Sequence, residues 1–552
     1  MDKRLLLAIA LSAVVVIGYQ EYLRIYFPQR TKPVTKFAGS TPLATPGPAP
    51  SVPAALPSVR VGSEPSPPPI GNVTVETPIF RAVFSSRGAR LVSLKLKDYR
   101  TSVDAQSPPL EVVSAGTGSE YPLGVVLRGE KVWTDRDVEY APSAYSATVR
   151  EDESVEVVFA GALDTGAKVE KHIRFQGDKY AFTVGVGIAG TTEPFTEAAL
   201  AWTRVETAAH SRYHYEGSEA LVGRKLLRLT EKDLLQGAIF PDSRGGSALA
   251  GSIQWAGYAD TYFLSAVAPR DNDPARLWVK LEEGVISTEV LVPIAATKSE
   301  AYPFTVYTGP KDLHILAEAG HHLERSVDLG WFGFVAEPML RVIKLFHRGT
   351  GNYGLDIILL TVLIKVLFIP LTHKSFKSMQ GLQKLQPQMK KLQEKLKDDR
   401  EALNKEMMEL YRRHNVNPLG GCLPMLFQMP IFIGLYNALL NAVELRHAPF
   451  ALWINDLSAP DRLPAMPAAP LALIAGYELR IPVLTLLMGV SMLVQQKMTP
   501  AAGDPAQQRM MMLMPVVFTV MFVNFPSGLV LYWLGNNVLT IAQQMIVQRG
   551  DK

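Results

Sequence analysis

A lysine lies deep in an apolar run. Residues 355–371 read Leu-Asp-Ile-Ile-Leu-Leu-Thr-Val-Leu-Ile-Lys-Val-Leu-Phe-Ile-Pro-Leu, with Lys365 well inside. The run is long enough to cross a bilayer. A basic side chain there costs about 2.5–3.5 kcal/mol on insertion scales. Each Leu, Ile, Val or Phe returns about 0.3–0.6 kcal/mol, so the span still inserts. An ionisable group in that place is first a functional-site candidate. The competing reading is a lysine that snorkels to the nearer interface. Thr361 precedes Lys365 by four residues and shares its helix face. In the last apolar run Tyr532, Asn536, Thr540 and Gln543 step by four, four and three, which draws a polar stripe. Gln428, Asn437 and Gln495 add polar positions on other runs. Polar groups in hydrocarbon must face the interior of a bundle or water. Together they imply a hydrated cavity with a cation inside it; hydrogen-bonded glue between helices is the alternative. Asp356 is the nearest acid on the lysine's own run, about two and a half helical turns away.

Other chemistries leave weak traces. No Gly-x4-Gly-Lys-Ser/Thr loop is present, so no nucleotide-driven motor is indicated. His210 and His214 have helical metal-ligand spacing, but they sit in a strand-like region and a third ligand is missing. His321-His322 beside Glu324 is equally bland, and no nucleophile elbow appears. The expectation is a protein without catalytic residues, metal or cofactor. A net charge of +4 over 552 residues gives no global signal for nucleic acid. The single cysteine, Cys422, excludes an intrachain disulfide, so any extracytoplasmic domain must be held by its own core.

Several unlike elements must carry these residues. Asp2-Lys3-Arg4 precede an apolar stretch, Leu5 to Ile17, and no small-x-small cleavage site follows it. Residues 1–27 therefore read as a retained signal-anchor span. Residues 28–71 are rich in Pro, Ala and Ser and read as an extended tether without a core. From 72 to about 325 short period-two runs such as Lys168–Phe175 predict a mostly antiparallel all-β domain, a sandwich. Residues 326–348 carry Trp331, Phe332, Phe334, Met339, Ile343 and Phe346 against Glu337, Arg341, Lys344 and Arg348, the pattern of an interfacial amphipathic helix. The second span covers 349–373. Residues 374–414 follow as a charged helical hairpin, with eleven Lys and Arg against six acids and an apolar stripe through Leu382, Leu385, Met389 and Leu392. Pro387 is expected to kink its first helix. Residues 415–549 hold spans three to six, near Pro418–Leu440, Ile481–Gln496, Met510–Phe525 and Gly528–Val547. The basic excess of the hairpin places it in the cytoplasm. The β-domain then lies outside, and both chain termini lie inside.

Asn417-Pro-Leu-Gly-Gly-Cys-Leu-Pro424, Gln428-Met-Pro-Ile-Phe432, Val443-Glu-Leu-Arg446 with Ala451-Leu-Trp453, and Phe525-Pro-Ser-Gly-Leu-Val-Leu-Tyr532 resemble the YidC family of bacterial membrane protein insertases. The resemblance is dense over about 330–549. It implies a multi-pass protein of the bacterial inner membrane, with five of the six spans forming a helical insertase core. It also implies a periplasmic β-supersandwich. A hydrophilic groove, closed to the outside, would receive the polar tail of an incoming protein. The groove residues this implies are Lys365, Thr361, Gln428, Tyr532, Trp533, Asn536 and Thr540, with lysine where the family usually has arginine. The implied partners are nascent membrane proteins, the Sec translocon, the lipid bilayer and, through the cytoplasmic loops, the ribosome. A transporter or channel using the same cavity, or a membrane-tethered carbohydrate-binding protein, remains the alternative function.

Overall fold

A computed structural model describes residues 71–550, except 105, 114–120, 165, 191–194, 206–214, 230–232, 235–246, 283, 295–300, 397–398, 415, 417–422, 464–480 and 499–504. The signal-anchor span and the tether up to residue 70 lie outside the described residues, as do His210, His214 and most of the Asn417–Pro424 motif. The chain forms two compact units. One comprises 70–502 with 511–552, the other 1–69 with 503–510; of the second only the helical backbone from 505 to 510 is described.

Strands run from Asn72–Glu76 to Tyr302–Pro310 and build sheets of five, nine and six strands. The pairings are antiparallel, except that Asn72–Glu76 lies parallel to Ser146–Thr148. The period-two pattern does the expected work. Along Lys168–Gln176, Val169, Lys171, Ile173 and Phe175 point inward and their neighbours outward. One core joins the three sheets, with Phe80, Ile173, Trp202, Trp255 and Val290 among its members. It extends past the last strand to Leu316 and Leu323. These sit on helix α1 (Leu313–Ala319) and on the 3-10 turn Leu323–Ser326.

The amphipathic helix does not begin at 326. It is α2, Gly333–Thr350. Asp328 accepts from the Gly330 N–H at 2.8 Å, and Gly330 has φ +66°, so the chain turns there instead of continuing as helix. The buried face of α2, Ala336, Met339, Leu340 and Ile343, joins the core of the helical part rather than that of the β-domain. Trp331, just before it, and Phe334 and Leu345 on it remain exposed.

Helix α3, Tyr353–Lys395, runs unbroken for 43 residues through Pro370 and Pro387. The expected boundary at residue 373 between span and hairpin does not exist in the backbone. Composition changes there because the surroundings change, whereas helical hydrogen bonds are internal and continue across. Helix α4, Arg400–Arg413, returns against α3, with Asp399 accepting from the N–H groups of Glu401 and Ala402. Leu382, Leu385 and Met389 of the stripe are buried, and Met389 meets the Tyr411 hydroxyl of α4 at 3.8 Å. Helices α5 (Leu423–Asn441), α6 (Val483–Met498), α7 (Pro505–Phe522) and α8 (Ser527–Gly550) follow. Among the described residues, 353–382 is long and apolar enough to cross a bilayer; Val483–Met498 and Met512–Phe522 are apolar but shorter. Exposed apolar side chains line their outer faces, including Leu363 and Leu367 on α3, Leu487 and Val490 on α6 and Val516 and Val520 on α7. Such contiguous apolar surface marks contact with lipid or protein rather than water.

Candidate functional site

Lys365 and part of the polar stripe of α8 meet on a seam between α3 and α8. Lys365 Nζ donates to Thr540 Oγ1 at 2.6 Å, across 175 residues of sequence. Thr540 in turn donates to the Asn536 carbonyl at 2.6 Å, one helical turn back. Thr361 is buried, donates to the Ile357 carbonyl at 2.6 Å, and has its methyl group opposite Gly535 of α8. Two turns further in, Gln543 Nε2 donates to Thr372 Oγ1 at 2.7 Å. Two stripes at helical spacing therefore face one another, as their i,i+4 positions allow. Lys365 is half-buried, and no carboxylate pairs with it among the described residues. An ammonium carries three donors, so one hydroxyl leaves it with unused capacity. Asp356 does not serve it. That carboxylate is fully buried about 13 Å away along the helix, where it accepts from Thr350 Oγ1 at 2.5 Å and lies 2.9 Å from His347 Nδ1.

Tyr532 and Trp533, adjacent in sequence, point to different places because neighbours on a helix diverge by about 100°. Tyr532 is buried and accepts at its hydroxyl from Gln428 Nε2 at 2.5 Å, which ties α5 to α8. Trp533 sits in an aromatic cluster, 4.7 Å from the Phe432 ring and 5.1 Å from that of Phe522. Asn437 does not join the seam. It lies nine residues after Gln428, hence on the opposite face of α5, and donates to the Leu329 carbonyl at 3.2 Å. Of the seven candidate residues, Lys365, Thr361, Thr540 and Asn536 form one group, Gln428 and Tyr532 a second, and Trp533 belongs to the aromatic packing.

Sequence reasoning overlooked two further polar sets. Asn537 Nδ2 donates to Ser491 Oγ at 2.9 Å, a buried contact that fastens α8 to α6. Asp461, also buried, accepts from the Trp453 indole at 2.7 Å and from the Leu484 and Thr485 N–H groups at the start of α6. The second is an N-cap supplied from more than twenty residues upstream. Asn537 had a signal, since it lies four residues from Trp533 and seven from Gln544 on one face; Asp461 had none in its local sequence.

The β-domain and the helical part meet through charges outside the apolar spans. Lys344 of α2 lies 3.0 Å from Asp312 Oδ2 and 2.5 Å from Glu444 Oε1. Burial works to raise the Asp312 carboxyl, but the Lys344 ammonium overrides it and holds it below the usual range. At Glu444 burial dominates and pushes the carboxyl up. Arg446 donates to the Arg100 carbonyl at 2.9 Å and lies over the Phe263 ring.

Residues 345–552 match the family described as 60 kDa inner membrane protein, and residues 72–342 match the YidC periplasmic domain. The chain is 40% identical over 568 residues to the membrane protein insertase YidC of Geobacter metallireducens, covering 100% of this chain and 98% of that one. It is 41% identical over 483 residues to that of Geobacter sulfurreducens, covering 86% and 85%. A solved active YidC insertase with its first transmembrane domain resolved aligns over 86% of this chain and 93% of its own at 18% identity, with a TM-score of 0.35.

Proposed function

The chain belongs to the YidC family of membrane protein insertases, and we propose that it receives its substrates at the seam between α3 and α8, with Lys365 as the receiving charge. It inserts membrane proteins into the bilayer of the inner membrane, carries a periplasmic domain rich in β-sheet, and is not an enzyme. The relatives' shared name disfavours the transporter and carbohydrate-binding readings.

The observation that carries the proposal is the state of Lys365. A cation in an apolar span, held by one hydroxyl and by no carboxylate among the described residues, is poised to attract an anion. Asn536 and Thr540 line the same seam and offer polar groups to a hydrated tail, while Thr361 packs its methyl against Gly535. Such a seam shortens the hydrocarbon path that the tail must cross and so lowers its desolvation cost. The apolar segment of the substrate then moves along the exposed faces of α3, α6 and α7 into lipid, driven by hydrophobic transfer. A membrane potential, positive outside, adds about 2.3 kcal/mol per negative charge per 100 mV for outward movement.

The arrangement we adopt has six spans, both termini in the cytoplasm and the β-domain, a supersandwich, in the periplasm. The basic hairpin of α3 and α4 supports that orientation. The Sec translocon is a partner for some substrates in this reading, and the ribosome would contact the cytoplasmic loops. Photocrosslinking from position 536 or 540 tests the proposal. Arrested nascent chains should crosslink through their acidic tails. Crosslinks only to the apolar segment, with none to the tail, would contradict it.

A further inference from the structure

The turn that follows α5 has a different partner for each of its residues. Val443 is buried in the core of the β-domain, and Leu445, two residues on, is buried in the core of the helical part. Glu444 pairs with Lys344 of α2, and Arg446 reaches the Arg100 carbonyl of the β-domain. Lys344 also pairs with Asp312, two residues past the last strand. Asp312 is fixed in turn, because its other oxygen accepts from the N–H groups of His314 and Ile315 and caps α1. One ammonium thus joins three segments: the exit of the β-domain, α2, and the outer end of α5.

The same region is tightly packed. A Cβ on Gly434 of α5 would lie 3.3–3.4 Å from Val335, Ala336 and Phe332 at the start of α2. The approach of α2 to α5 is thereby narrow at one end and set by charge at the other. Helix α5 also carries Gln428, which holds Tyr532 of α8. Displacement of its outer end would therefore reach α8, which carries one side of the seam.

We propose that Lys344, with Asp312 and Glu444, is a positioning junction that fixes α5 and α2 for insertion, rather than a part of the β-domain's own stability. The junction rests on the insertase activity of the chain but not on the role assigned to Lys365. Loss of the ammonium leaves two partly buried carboxylates facing each other, which is worse than the loss of the whole set.

The test uses full-length protein in proteoliposomes. Lys344→Met should lower insertion by about fivefold or more, the scale of a coupling between sites, at equal membrane abundance and with an unaltered unfolding midpoint of the β-domain. Lys344→Arg should retain activity. The double variant Lys344→Met with Glu444→Gln should insert better than Lys344→Met alone, because it removes an orphaned acid. Spin labels at exposed positions 345 and 452 should give a broadened distance distribution in Lys344→Met only. Lys365→Glu in the same series separates the two claims. Wild-type insertion by Lys344→Met beside an impaired Lys365→Glu would overturn the junction alone. A loss in Lys344→Met that tracks a lowered β-domain midpoint would also overturn it, as would a double variant that inserts no better than Lys344→Met.

Discussion

Two lysines, Lys171 of the β-domain and Lys365 of α3, are held in opposite ways. Lys171 of the β-domain points inward between Val169 and Ile173. It lies 2.5 Å from Asp135 and donates to the carbonyls of Gly88 at 2.6 Å and Leu123 at 2.8 Å. Its donors are filled, which is the mark of a structural charge. Lys365 donates to the Thr540 hydroxyl and meets no carboxylate among the described residues, as the proposed receiving charge requires. Removal of the structural one should be costly. Lys171→Met leaves buried Asp135 with the Arg90 guanidinium at 2.9 Å but without its ammonium and should destabilise the β-domain by about 1–3 kcal/mol, read as a shift of its denaturant midpoint. Burial pulls Lys171 down from 10.5 to about 8. Between those two values the unfolded chain still holds the proton that the folded chain has released. The lysine's contribution to stability therefore rises with pH across that window and is flat below it. Wild-type protein should show this slope relative to Lys171→Met; equal slopes in both would sink the assignment.

At the scale of elements, the hairpin of α3 and α4 is expected to act through its position more than through any single charge. Its basic residues are mostly exposed, and exposed ion pairs such as Arg413–Glu409 contribute little. Lys390→Ala should leave insertion within about twofold of wild type, whereas deletion of 378–410 should strongly impair it. A severe loss from Lys390→Ala alone would instead point to a specific docking site. The hairpin was legible because its information is local, a leucine and methionine stripe at helical spacing. The start of α2 was misjudged because Asp328 and Gly330 impose a turn on a stretch whose apolar residues fit a helix. The site was half legible. Spacing alone placed Thr361 with Lys365 and drew the stripe of α8, since both follow from helical period. That Lys365 meets Thr540 and that Gln428 meets Tyr532 depends on which faces pack, and no local pattern states that. The partners of Glu444 and Asp461 were hidden for the same reason.

At the scale of the whole molecule, the chain divides into a β-domain with its own core and a helical part that holds the seam residues. Deletion of 72–310 should therefore leave most insertion activity, because it spares Asp312, α1, α2 and the seam. Complete loss at normal membrane levels would show that the β-domain does more than the account assigns to it. Arg446→Ala, which removes the contact to Arg100, should loosen the β-domain with little effect on insertion, seen as faster limited proteolysis at unchanged activity. In the proposed mechanism insertion depends on a positive charge at position 365. The measurement that tests it most directly is insertion of one substrate, with an acidic, a neutral or a basic translocated tail, by Lys365, Lys365→Arg, Lys365→Leu and Lys365→Glu proteins at matched abundance. Arginine should retain activity. Leucine should fail mainly on the acidic tail. Glutamate should fail most on the acidic tail and regain insertion when the tail is made basic. Equal insertion of all three tails by the lysine, leucine and glutamate proteins would contradict the recruitment role and leave Lys365 as a side chain that only snorkels to the interface.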